Sequence, residues 1–234
     1  MSVSEGLTSK VQESISVLSR SSLGVLIALP GQFVKEGGDA VQKTKVALAE
    51  EEIGLLHLDR EGTDVRTYPL QERIDDLLYI LTEVKTQTNL PVGILGSSLG
   101  NVVMLAAMQR YFSMVHGNDH LLVMLGKSPI PGIEAANLNP QFPVNDFLRG
   151  YTGSLLTSDF RGVVYEARTR GIYVGGIMGD CDSYVPQHNV RELFSPDLCV
   201  IQGADHAFSQ EVHFEQMLKW IVNKAYTAFF STQR

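Results

Sequence analysis

An α/β architecture, with a mostly parallel central sheet and helices on both of its faces, is what this 234-residue chain predicts. Three observations lead there. Short apolar runs recur along the chain and are continuous rather than alternating, which is how strands covered on both faces read. Longer stretches with helical spacing of apolar residues lie between them. Strand and helix in alternation imply right-handed crossovers and hence parallel strands.

The first strand is Gly24-Val25-Leu26-Ile27-Ala28-Leu29, stopped by Pro30-Gly31. Ile53 to Leu58 is the second, and the acidic Glu50-Glu51-Glu52 ahead of it reads as a solvated helix end. Leu70, Ile74, Leu77, Leu78, Leu81 and Val84 then fall on one face of a helix. Pro91 to Gly96 is the third strand, followed by a helix-like run from Leu99 to Tyr111. Leu121 to Leu125 is the fourth strand, Ile172 to Met178 the fifth and Leu198 to Ile201 the sixth. A last helical stripe is Phe214, Met217, Leu218, Ile221 and Ala225. A weaker run, Ser14 to Leu18, is expected to add an edge strand within an N-terminal segment over 1–20, leaving one domain over 21–230. From Gly126 to about Ser158 prolines interrupt the chain without a clean period, and long loops of this kind are usually functional. A lid-like insertion at about 126–158 and a plain surface excursion are the two readings of it.

Composition excludes several function classes. Hydrophobic residues make up 44% and charged residues 19%, so a packed core is expected. A net charge of −7 opposes nucleic-acid binding, which needs a basic stripe to displace counterions. Two cysteines, Cys181 and Cys199, make neither a disulfide framework nor a four-ligand metal set. Without an apolar leader or a run near 20 apolar residues, neither export nor a membrane span is expected, and the expected location is the cytoplasm.

Chemistry concentrates in Gly96-Ser97-Ser98-Leu99-Gly100, which follows a strand and opens a helix. That is the context of a nucleophile elbow: a strained turn exposes the central serine, and small residues two positions either side leave it room. The plain alternative is a tight turn with an incidental serine. A serine hydroxyl is a weak nucleophile and needs a base. His206 lies in a loop at the carboxyl end of the last strand, where ligands gather in parallel sheets. His213 on the final helix is second choice, His57 sits in a strand, and His116 and His120 flank a turn. An orienting carboxylate is supplied by Asp180 or Asp182, just past the fifth strand.

With these residues in view, the chain from Ser21 to Phe229 resembles the α/β-hydrolase family. Gly96 to Gly100 resembles that family's G-x-S-x-G, Gly179 to Pro186 its G-x-x-D-x-x-V-P acid turn, and Gly203-Ala204-Asp205-His206 its G-x-x-H loop. Asp59 to Gly62, with the helix holding Ile74-Asp75-Asp76-Leu77, resembles its D-x-x-G loop and following helix. The resemblance implies Ser98 as nucleophile, His206 as base and Asp182, rather than Asp180, as acid. It implies an oxyanion hole made by the N–H groups of Leu99 and Gln32, although Pro30-Gly31 stands where many members have His-Gly. Asn101 stands where many have a second glycine. The shortness of the chain implies a reduced N-terminal edge and a short cap.

The activity so implied is hydrolysis of a carboxylic ester or thioester through an acyl-enzyme on Ser98, with no metal or organic cofactor. The expected partner is a small-molecule acyl substrate, free or linked to a carrier or to coenzyme A. Acyl transfer or cyclisation by the same residues is one alternative, and a binding protein that keeps the fold without turnover is another. Aromatics at Phe142, Phe147, Tyr151 and Phe160 suit an acyl pocket or ordinary core packing.

Overall fold

The computed structural model describes residues 12–13, 15–16, 23–31, 38–58, 68–115, 121–129, 157–185 and 187–231. Six strands form one sheet in which every pairing is parallel: β1 (Gly24–Leu29), β2 (Ile53–His57), β3 (Val92–Ser97), β4 (Leu121–Lys127), β5 (Tyr173–Gly179) and β6 (Leu198–Ile201). Their order across the sheet is β2-β1-β3-β4-β5-β6. Among the described residues, six helices connect or follow them: α1 (Asp39–Glu50), α2 (Leu70–Gln87), α3 (Leu99–Met114), α4 (Thr157–Thr169), α5 (Gln187–Phe194) and α6 (Glu211–Ser231).

Strand parity sorts the core into two layers. Val25, Ile27 and Leu29 of β1, with Val92 and Ile94 of β3 and Met124 of β4, pack on one face with the apolar sides of α2, α3, α4 and α5. Leu26, Leu95, Val123, Leu125 and Ile177 point the other way, into a smaller cluster closed by α1 and α6 through Leu48, Met217, Ile221 and Phe229. The inner strands are therefore buried on both faces, which is why their sequences run apolar without alternation, while the edge strands β2 and β6 are partly half-buried.

The expected strands agree with the observed ones to within a residue or two at either end. Every apolar residue of the α2 stripe is buried. Helix α1 carried no such stripe, and its only fully buried residue is Leu48. The edge strand expected at Ser14 to Leu18 does not form at its described positions: Ile15 and Ser16 are helical, as are Gln12 and Glu13. The Ser16 hydroxyl donates to the Glu13 carbonyl, a helical-turn contact, and Ile15 is buried against the α2–α3 layer. Of the segment expected as a lid, 130–156 lies outside the described residues. Among the described residues, no helix is long and apolar enough to cross a membrane.

From β1 the chain moves outward to β2, then returns to place β3 on the other side of β1. The strand order reverses there, and open α/β sheets receive ligands at the carboxyl ends of the strands that flank such a reversal, here β1 and β3.

Candidate active site

Ser98 stands at that reversal, between the last residue of β3 and the first of α3. Its backbone has φ 51° and ψ −117°, a conformation that costs a residue with a β-carbon on the order of 1–3 kcal/mol and persists only where neighbours hold it. They do. Ser98 N–H donates to the Lys127 carbonyl at 2.9 Å, and its own carbonyl accepts from Asn101 N–H at 3.0 Å. The Asn101 side chain donates to the carbonyls of Ser98 (3.1 Å) and Lys127 (3.2 Å), tying the turn to β4. The glycines are needed for space. A β-carbon at Gly100 would stand 2.2 Å from the Leu29 carbonyl oxygen, and one at Gly96 would stand 2.9 Å from the Asn101 backbone. One at Gly31 would stand 2.9 Å from the Ser98 β-carbon, so Gly31 lies directly beside the serine.

Ser98 Oγ lies 2.9 Å from His206 Nε2, and His206 Nδ1 lies 2.7 Å from Asp182 Oδ2. These three side chains come from the ends of β3, β6 and β5, spread over 108 residues of chain. The Asp182 carboxylate is fully enclosed, and its second oxygen accepts the N–H groups of Tyr184 (2.9 Å) and Val185 (3.1 Å). Enclosure with fixed N–H donors holds the carboxylate in one orientation toward the imidazole. With Nδ1–H donated to Asp182, Nε2 is left as an acceptor for the serine hydroxyl.

The other sequence candidates separate cleanly. Asp180 does not face the imidazole; its Oδ1 accepts Gly203 N–H at 2.6 Å and so clamps the acid turn to the histidine loop. The two loops also touch through backbone, Cys181 N–H donating to the Ala204 carbonyl at 3.0 Å. His213 sits on the first turn of α6 near Gly203. Leu99 opens α3, where an N–H has no carbonyl to meet inside the helix. Gln32, His116, His120, Phe142, Phe147, Tyr151 and Pro186 lie outside the described residues, as does the whole of 59–62. Phe160 is fully buried in the main core cluster, which makes it packing rather than pocket. Cys181 is exposed; its thiol pKa is raised, chiefly by the side chain of Asp180.

Three supporting residues escaped sequence reasoning. Ser128 is buried, has φ 42°, and its hydroxyl donates to the His206 carbonyl at 2.6 Å. Tyr184 meets the His206 ring edge-on with centroids 5.2 Å apart. Arg73, buried in α2, donates to the Pro30 carbonyl at 2.8 Å and so anchors the start of the loop after β1. Of the four non-glycine residues with positive φ among the described ones, Ser98, Ser128 and Phe208 surround this site. Strain of this kind collects where function demands a fixed geometry.

No protein-family model matches the chain, and neither does any curated protein. Solved structures do. The chain is similar to Est1E from Butyrivibrio proteoclasticus with ferulic acid bound, at 15% identity over 89% of this chain and 90% of that one, with a TM-score of 0.64. It is similar to the esterase domain of a Rhodothermus marinus protein, at 15% identity over 88% and 87%, with a TM-score of 0.62. A monoacylglycerol lipase of Paleococcus ferrophilus stands at 15% identity over 88% and 95%, with a TM-score of 0.61. At such identities the likeness is one of fold, and it extends over most of each chain.

Proposed function

Taking the chain as a protein of the α/β-hydrolase fold, we propose that it is a serine hydrolase acting on carboxylic esters, with acyl thioesters in reach of the same chemistry. The observation that carries this reading is the continuous hydrogen-bonded line from Ser98 Oγ through His206 to Asp182. Ser98 Oγ attacks the acyl carbon while its proton passes to His206 Nε2. Asp182 keeps the imidazole in the required tautomer and stabilises its charged form. The Leu99 N–H, joined by Gln32 from the loop after β1, binds the tetrahedral oxyanion, a donor worth about 3–4 kcal/mol. His206 then returns the proton to the leaving alkoxide or thiolate. Water, deprotonated by the same imidazole, releases the acyl group and frees Ser98.

The neighbours point the same way, since two are described as an esterase domain and a lipase. The acyl group is free or carried on coenzyme A or a carrier protein, and a cytoplasmic setting fits the free thiols of Cys181 and Cys199. Ser98→Ala tests the assignment. Turnover of short p-nitrophenyl esters is expected to fall at least about a thousandfold, with the circular dichroism spectrum retained. A fluorophosphonate is expected to label the native protein and not the variant. Unchanged ester turnover in Ser98→Ala overturns the nucleophile.

A further inference from the structure

A second feature lies under the elbow, on the α1–α6 face of the sheet. Strand parity directs His57 of β2, Ser97 of β3 and Lys127 of β4 to this face, at the carboxyl end of the sheet. Between them stands Ala28 of β1, whose small side chain leaves a gap. The result is a cavity of about 80 Å³, mostly apolar, with Ala28, His57, Ser97 and Lys127 at its sheet side and Phe214 and Met217 of α6 opposite. Two of its lining residues adjoin the proposed nucleophile along the chain: Ser97 directly precedes Ser98, and Pro30 precedes Gly31, whose added β-carbon would stand 2.9 Å from that of Ser98.

Lys127 is out of place there unless it has a task. An ammonium in apolar surroundings is costly without a partner. Among the described residues its Nζ has no hydrogen bond or ion pair; it lies 5.6 Å from the centroid of the Phe208 ring. Asp205 is the acidic group whose field reaches it, yet both Asp205 oxygens are turned to Ser209. Burial lowers the Lys127 pKa to about 8, which leaves it mostly charged at neutral pH.

We propose that this cavity is a subsite for an acyl chain ending in a carboxylate, with Lys127 pairing with that group. By comparison with an apolar hole of ~150 Å³ that takes benzene, the space admits roughly three or four non-hydrogen atoms, about a carboxymethyl group. The proposal deepens the ester-hydrolase reading and rests on it for the reaction, though not for binding. It makes Lys127 a specificity determinant: the charge-assisted pair gains what a neutral methyl end cannot.

The test has two arms. In the first, kcat/KM is compared for monomethyl glutarate and for methyl valerate, a neutral ester of similar length. The anionic ester is expected to be preferred at least tenfold, and in Lys127→Met and Lys127→Gln that ratio is expected to collapse to one or below. In the second, calorimetry with glutarate alone is expected to give saturable 1:1 binding to the native protein and none to either variant. A ratio that Lys127→Met leaves unmoved, or absence of glutarate binding to the native protein, overturns the subsite. Failure to hydrolyse either ester while glutarate still binds in a Lys127-dependent way overturns the ester-hydrolase reading and leaves the subsite standing.

Discussion

At the scale of single residues, Lys127 carries an energetic signature that can be measured without any substrate. Its folded pKa, about 8, lies below the ordinary 10.5, because burial disfavours the charged form. Below pH 8 the amine is protonated in both folded and unfolded chains, and the fold bears the full penalty. Between about 8 and 10.5 the folded protein has shed the proton and the unfolded chain has not, so stability from this group rises with pH. Lys127→Met is therefore expected to unfold at higher urea than the native protein at pH 7, by on the order of 1 kcal/mol for this half-buried side chain, with the gap narrowing by pH 10. Equal midpoints at pH 7 contradict this. Residues differ in how visible such roles are beforehand. Ser98 was legible because glycines two positions either side and a strand-to-helix context single it out. Asn101 and Ser128 were not, because an asparagine in a helix and a serine after a strand are common, and only their contacts give them a task.

At the scale of elements, the site depends on how strand ends and loops are joined. The turn after β4 is linked to the histidine loop by one hydroxyl, Ser128 Oγ, on the His206 carbonyl. Ser128→Ala is expected to lower kcat on short esters roughly fivefold, the equivalent of one hydrogen bond of about 1 kcal/mol, with little change in KM. Ser128→Gly relieves the positive φ at this position but also lacks the hydroxyl. It is expected to lose the same rate, whereas native kcat in Ser128→Gly means that backbone conformation, not the bond, was what mattered. Element boundaries were read well where hydrophobic period was strong, as in α2. They were missed in α1, where a single fully buried leucine gives no stripe. The expected edge strand over 14–18 failed because a short apolar run fits a helical turn as readily as a strand.

At the scale of the whole molecule, the last helix closes the first strand into the core. Phe229, fully buried near the end of α6, packs its ring over Gly24 and Gly93, where added β-carbons would come within 2.6 and 3.2 Å of it. The glycines of β1 and β3 are thus the space into which the C-terminal aromatic fits. Phe229→Ala leaves a cavity between α6 and the sheet and is expected to cost about 3–5 kcal/mol in urea unfolding. A loss below about 1 kcal/mol means that the helix end packs elsewhere. Parallel strands built from distant segments make such long-range closure obligatory, since no strand of this sheet pairs with a partner joined to it by a tight turn.

The order Ser98, Asp182, His206 was implied only by resemblance to a known family, while continuous apolar runs and helical stripes were enough to specify a doubly covered parallel sheet, and the glycines around Ser98 to single out that serine. These are local features, and local chemistry writes them directly into residue order. Choosing Asp182 over Asp180 on contacts, giving Ser128 its hold on His206, and gathering His57, Ser97 and Lys127 around one cavity required residues as far as 78 positions apart to be brought together by one sheet. Strand register and loop closure set those distances, and both come from packing over the entire sheet.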